Sequence, residues 1–284
     1  MDTAREFLLT TKDFDCIRTL VKRYSGIVLS DAKQALVYNR LARRLRHLGL
    51  TSFAAYCQLL QTGDAGEIEQ LVNAITTHLT TFFREAHHFD YLATTLLPEL
   101  RRTRAHNRQV RIWSAGCSTG EEPYSIAMVC QETLPPGEGW DVKILATDID
   151  ASVVAMAREG LYSAERVQGM PQVRLQRWFR KGQGANTGWV CVVPALRQMI
   201  IFRQLNLLHP WPMQKPFDII FCRNVMIYFD QATQRQLFDR FADLLDRHGT
   251  LFVGHSESLS KLTTSFELLG KTIYRRCPDL APAP

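Results

Sequence analysis

Arg111-Ile-Trp-Ser-Ala-Gly-Cys-Ser-Thr-Gly-Glu-Glu-Pro-Tyr-Ser125 decides how this chain folds. Val110, Ile112 and Trp113 suit a buried strand. Gly116 and Gly120 then allow a tight turn in which the backbone can approach a ligand, no Cβ being in the way. Apolar residues return at Ile126, Ala127 and Met128, as in a helix packed on a sheet. Strand, glycine loop and helix in that order make the nucleotide-type binding unit of α/β folds.

Glu121 and Glu122 stand where the first helical turn begins. A loop that binds pyrophosphate leaves that helix end open to anionic oxygens. Two carboxylates there repel a dinucleotide and tolerate a nucleoside carrying positive charge. S-adenosylmethionine, with a sulfonium, an ammonium and no phosphate, meets that condition. The same side chains also suit a simpler role, complementing the helix dipole, and the loop alone leaves both readings open.

Outward from the loop, strand and helix alternate. Residues 142–148 read as a second buried strand ending in the acid Asp148, with 152–159 as its helix. Residues 217–222 and 249–254 read as further strands, with a helix over 231–246 between them. This rhythm predicts an α/β fold with a mostly parallel, doubly wound sheet. A glycine loop at 180–188, with short apolar runs at 189–193 and 199–202, breaks it. Those runs are read as an inserted antiparallel β subdomain at about 178–203. Residues 1–75 carry helical patterning and form a separate N-terminal domain. Residues 76–90 link it to the α/β domain at 91–284 and contribute to the active site. The tail, 278–284, reads as disordered.

Composition narrows the function. The 284 residues hold no apolar run of membrane-spanning length and begin without a basic-then-apolar leader. Seven scattered cysteines, with no C-x-x-C pair, point to free thiols in a reducing cytoplasm and leave no zinc pattern. The first fifty residues carry ten basic side chains against five acidic ones, so this end attracts something acidic, nucleic acid or protein. Val37, Leu41, Leu45 and Leu48 share one helical face, whereas Arg40, Arg43 and Arg46 share another. That second face is either simply solvated or a landing site for an acidic partner.

Three segments together go beyond pattern: Thr80-Thr-Phe-Phe-Arg-Glu85, Ser118-Thr-Gly-Glu-Glu-Pro-Tyr-Ser125 and Phe221-Cys-Arg-Asn-Val-Met-Ile-Tyr-Phe-Asp230. With Ala146-Thr-Asp-Ile-Asp150 and Gly254-His-Ser-Glu257, they resemble the bacterial chemotaxis receptor methyltransferases, the CheR family, in order and over nearly the whole chain. The resemblance implies an S-adenosylmethionine-dependent, class I methyltransferase-like enzyme that esterifies glutamates on chemoreceptor helices and releases S-adenosylhomocysteine. Such an enzyme is cytoplasmic, recruited to membrane-bound receptor arrays, and monomeric.

By the same resemblance Asp148 takes the ribose hydroxyls, Asn206 and Leu207 lie against adenine, and Arg84 forks a carboxylate in the catalytic site. His78, where the family commonly has asparagine, and Thr80 bond the methionine end with Asn224. Arg223 backs the loop, Glu121 and Glu122 line the cofactor, and the Tyr228 hydroxyl stands near the methyl-transfer point. Arg40, Arg43 and Arg46 meet the receptor. Arg197, beside an open edge of the β subdomain, grips a receptor C-terminal peptide. The chemistry asks for no catalytic triad, because a glutamate is already ionised at neutral pH. A nicotinamide-dependent oxidoreductase and a non-catalytic receptor scaffold are the competing readings.

Overall fold

The computed structural model describes residues 6–134 and 136–277, so the expectation for the tail at 278–284 lies outside the described residues. The chain divides into two compact units. One holds the chain up to Thr77 together with Tyr228–Thr233, and the other holds His78–Ile227 and the chain from Gln234 on. No described helix is long and apolar enough to cross a membrane.

The helical unit contains α1 (Thr11–Ser25), α2 (Gln34–Leu48), α3 (Phe53–Gln61) and α4 (Ala65–Ile75). Helix α1 begins on a capping box: the Thr10 hydroxyl accepts from the Asp13 N–H, and the Asp13 carboxylate accepts from the Thr10 N–H. Phe14, Ile17 and Val21 of α1 meet Val37, Leu41 and Leu45 of α2 in one core with Phe53, Tyr56 and Leu71. Glu67 is buried there and satisfied by Arg44 and the Tyr56 hydroxyl.

The second unit begins with α5 (His87–Tyr91), which runs through a π turn (Leu92–Leu96) into α6 (Leu97–Thr103). Then follow β1 (Gln109–Ala115), α7 (Glu121–Thr133), β2 (Asp141–Asp148), α8 (Ala151–Glu159), β3 (Leu161–Ser163), α9 (Gln172–Trp178), β4 (Phe179–Lys181) and β5 (Trp189–Val192). The rest comprises α10 (Pro194–Arg197), β6 (Ile200–Gln204), β7 (Phe217–Cys222), α11 (Gln231–Leu244), β8 (Leu245–Val253), β9 (Phe266–Gly270) and β10 (Ile273–Arg276). The main sheet runs β6-β2-β1-β7-β8-β10-β9. Its first five strands are parallel, and β10 is antiparallel to both neighbours. This is the class I methyltransferase-like arrangement expected from the sequence, a mostly parallel sheet in one unit, and the other unit is all-helical. Strands β1 and β7 are central and almost wholly buried. Helix α7 is buried from Glu121 to Cys130, so it is a core element and not an amphipathic surface helix.

One strand is not where the sequence reading put it. Residues 199–202 do not pair with 189–193. Strand β6 instead joins the edge of the main sheet, parallel to β2. The small antiparallel sheet is β3-β5-β4, so the subdomain draws on residues from Leu161 onward. A short apolar run carries no information about which of two sheets receives it. Here α10 turns the chain back to the main sheet before β6 begins.

Candidate functional site

The carboxyl ends of β1, β2 and β7 converge on the loop between β1 and α7, the place where α/β sheets bind ligands. Gly116 and Gly120 turn the loop with φ of 94° and 98°. A Cβ on Gly116 would meet the Val225 side chain, and one on Gly120 the Tyr162 hydroxyl and Ala157. Packing of the protein against itself is enough to demand these glycines.

Asp148 closes β2 and is 7% exposed. Its carboxylate accepts from the backbone N–H of Ser118 at 2.8 Å and of Asp150 at 3.1 Å. Burial pushes its pKa up, against the pull of His78 and these N–H groups. Asp150 caps α8 through the Ser152 N–H at 2.8 Å. Its other oxygen pairs with His78 Nε2 at 3.0 Å. Burial alone would raise the Asp150 pKa, but the bonds from His78 and Ser152 bring it below the usual carboxylate range. The His78 ring thus faces an acid within the loop cluster. The His78 carbonyl also accepts from Ser118 Oγ at 3.2 Å.

Glu121 and Glu122, expected to line the cofactor, are buried and paired. Glu121 is 0% exposed, and its carboxylate accepts from Thr119 Oγ1 at 2.6 Å and Arg166 Nη1 at 2.9 Å. Glu122 accepts from Ser114 Oγ at 2.7 Å and Arg223 Nη1 at 3.0 Å. Burial pushes both acids up, and their partners hold them down. Isolated carboxylates this deep would neutralise, so each is tied to a guanidinium and a hydroxyl. The first turn of α7 therefore carries two carboxylates of the protein's own, Glu121 and Glu122. A cofactor without phosphate fits such a loop, and a pyrophosphate does not.

Arg223 ties the network together and is a clamp without surface exposure, its side chain 2% exposed. It reaches Glu122, the Glu85 carboxylate at 3.2 Å and the Arg84 carbonyl, and lies over the Phe89 ring. This holds the turn at 80–86, where Phe83 and Glu85 take positive φ of 55° and 58° and the Phe83 N–H bonds Ser125 Oγ at 3.0 Å. Burial raises Glu85, yet Arg223 and the N–H of His255 bring it below its ordinary value. Arg84 itself is half-buried, its Nη1 donating to the Leu79 carbonyl at 2.6 Å. The Thr80 carbonyl accepts from Arg166 at 3.4 Å. Asn224 has φ of 59°; its N–H donates to Glu257 at 2.9 Å and its amide to Glu85 at 3.4 Å. Glu257 also gathers the N–H groups of Gly254 and Ile227.

The remaining expected residues divide. Asn206 lies two residues beyond the end of β6, its Oδ1 accepting from the Leu208 N–H at 3.0 Å, and Leu207 is buried next to it. Tyr228 belongs to the helical unit, where its ring packs on the core and its carbonyl accepts from the Val28 N–H. Arg40 is a structural cap: its Nη1 bonds the carbonyls of Ile75 and Thr76 at 2.6 Å each, closing the end of α4. Arg46 pairs with Glu6, and Arg43 is exposed. Arg197 stands on α10, bonded to the Arg158 carbonyl, and the strand expected beside it in the small sheet belongs to the main sheet.

Glu85 and Glu257 lie inside the quoted motifs, but nothing in their spacing distinguished a carboxylate that gathers backbone N–H groups from an exposed one. Arg166 lies far from any motif, and only the fold brings it to Glu121.

Residues 78–275 match the family described as CheR methyltransferase, SAM binding domain, and residues 12–76 match CheR methyltransferase, all-alpha domain. The chain is 46% identical to the chemotaxis protein methyltransferase of Escherichia coli, over 95% of this chain and 93% of that one. It is 46% identical to chemotaxis protein methyltransferase 2 of Pseudomonas aeruginosa, over 95% of each. It is 42% identical to the chemotaxis protein methyltransferase of Salmonella typhimurium, over 99% of this chain and 96% of that one.

Proposed function

The chain belongs to the CheR methyltransferase family, with S-adenosylmethionine as its cofactor, and from that premise we propose that it esterifies glutamate side chains on the cytoplasmic helices of chemoreceptors. One arrangement supports the reading: two carboxylates, Glu121 and Glu122, in the first turn of α7, with Asp148 at the tip of β2 bonded to the Ser118 N–H of the same loop. When bound, S-adenosylmethionine supplies a methyl group on a sulfonium, and a glutamate already ionised at neutral pH accepts it without a general base. The protein's task is to align acceptor and donor and to exclude water. Asp148 takes the ribose hydroxyls, and Asn206 with Leu207 takes the base. Arg84, Thr80, His78 and Asn224 take the methionine end, and Tyr228 orients the acceptor.

The receptor's acidic helices meet the outer face of α2 through Arg43 and Arg46; Arg40 drops out because its guanidinium is engaged at α4. Tethering of a receptor tail moves with the corrected strand order to the edges of the small sheet, β3 and β4. The protein works in the cytoplasm, at receptor arrays, as a monomer.

Calorimetric titration with S-adenosylhomocysteine and with NAD, beside a tritium-transfer assay on receptor, tests the reading. Asp148→Ala should lose roughly 1.5–3 kcal/mol of cofactor affinity. Tyr228→Phe should lose turnover and keep affinity. Binding of the nucleoside with no label reaching a receptor carboxylate would make the protein a scaffold, and undiminished affinity in Asp148→Ala would remove that residue from the site.

A further inference from the structure

We propose that Cys16 and Cys57 form an oxidation site, where a peroxide converts the two thiols to a disulfide that the packed helical unit accommodates. The thiols belong to different helices of one core. Cys57, on α3, is buried among Phe14, Ile17, Tyr56 and Leu60. Cys16, on α1, packs against that core and is only half-buried. Two bonds cross between the helices at this point. The Cys57 thiol donates to the Asp13 carbonyl at 3.6 Å, and the Gln61 amide donates to Cys16 Sγ at 3.7 Å. Asp13 lies one turn before Cys16 on α1, and Gln61 lies one turn after Cys57 on α3. A helical side chain leans over the turn before its own Cα, so the Cys16 side chain covers the carbonyl that Cys57 reaches. The thiols meet there: burial first, and then a hydrogen bond with Cys16, push the Cys57 thiol up.

A buried cysteine ordinarily serves as a small apolar residue. Here one thiol is closed off and held protonated, whereas its neighbour is open to water, and that difference sets the order of events. Peroxide meets Cys16 first. The Cys16 sulfur attacks the O–O bond and becomes a sulfenic acid, and one water leaves. The Cys57 sulfur then bonds to the Cys16 sulfur, the S–O bond breaks, and the departing hydroxide takes the Cys57 proton as a second water. Two thiols and one peroxide thus give one disulfide and two waters, the sulfurs losing the two electrons that the peroxide gains. A thiol reductant reverses the change. The loop closed by this bond contains the whole of α2. Closing it restricts the unfolded chain and so steadies the helical unit. The proposal uses none of the residues assigned to methyl transfer, and it stands whether or not that reading holds.

The experiment treats the full chain with hydrogen peroxide, alkylates the remaining thiols under denaturing conditions and maps the tryptic peptides without reductant. Trypsin releases Cys16 within residues 13–18 and Cys57 within residues 47–84. The two peptides should be joined, at the sum of their masses less two hydrogens, and dithiothreitol should separate them. Amide exchange in α1 and α3 should slow on oxidation. Cys16→Ser, at a half-buried position, should abolish the joined pair. Cys57→Ser should halt the reaction at the Cys16 sulfenic acid, which dimedone traps. A bond from Cys16 to another cysteine, a bond between two chains, a sulfenic acid that persists in the wild type, an unoxidised Cys16, or faster exchange in α1 and α3 would each overturn the proposal.

Discussion

Arg223 of the α/β unit and the arginines of α2 in the helical unit put one side chain to opposite uses. Arg223 is withdrawn from water and faces two carboxylates and a carbonyl. On α2, Arg40 caps a helix, Arg44 clamps Glu67, Arg46 meets Glu6 at the surface, and Arg43 stands in solvent. Counted as charge, these residues are equivalent; burial and partner decide whether each shapes the fold or remains for a visitor. A buried guanidinium is worth most through what its removal strands.

The comparison breaks or holds first at Arg223. Arg223→Ala leaves the buried Glu122 and the half-buried Glu85 without their cation and should cost about 3–5 kcal/mol in urea unfolding. A loss below about 1 kcal/mol would mean that water replaces the guanidinium and that the network is ornamental. Arg40→Ala should cost about 1.5–3 kcal/mol, the worth of charge-assisted bonds to the α4 carbonyls, while leaving cofactor affinity intact.

His88 sharpens the contrast from the acid side. It is fully buried, bonded through Nε2 to the Lys271 carbonyl at 3.1 Å, and its pKa falls from 6.5 to about 3, by burial first and then by Arg223 and His87. The folded state therefore holds it neutral where the unfolded chain would protonate it. Stability from this group is complete above about pH 6.5 and should be lost as pH falls toward 3, by about 1.4 kcal/mol per pH unit. His88→Gln should flatten that slope in denaturation curves collected between pH 7 and 4; an unchanged slope would shift its origin to other groups. The smallest effect belongs to Arg43. Arg43→Glu should leave the unfolding midpoint where it is, yet reduce receptor methylation at low salt and converge on wild type at high salt.

The buried strands and the β1–α7 loop were legible because apolar runs bounded by glycine and acid admit few alternatives. Asp148 was legible for the same reason, a lone acid ending a strand. Strand β6 was not, since its apolar pattern suits an insert as well as a sheet edge. The antiparallel pair β9 and β10 left no signal that was read, their exposed Leu268 and Leu269 obscuring alternation. Glu121 and Glu122 were recognised as anions at a helix start, but their direction, inward to Arg166 and Arg223, depends on residues 45 and 101 positions away. Long-range pairing of this kind exists only once the fold does.

The central place of β1 has a consequence for synthesis. Its one neighbour, β2, follows within the same stretch of chain, but its other, β7, is translated about a hundred residues later. At about 5–20 residues per second the open side of β1 waits on the order of ten seconds as the ribosome works through the β subdomain. Helix α7, buried on every side, has no finished surface to rest on during that interval. Nascent chains stalled before Phe217 should remain protease-sensitive throughout the α/β unit, and those extended past Val253 should become resistant together, so that the enzyme matures late in a single step while the N-terminal helices are already folded.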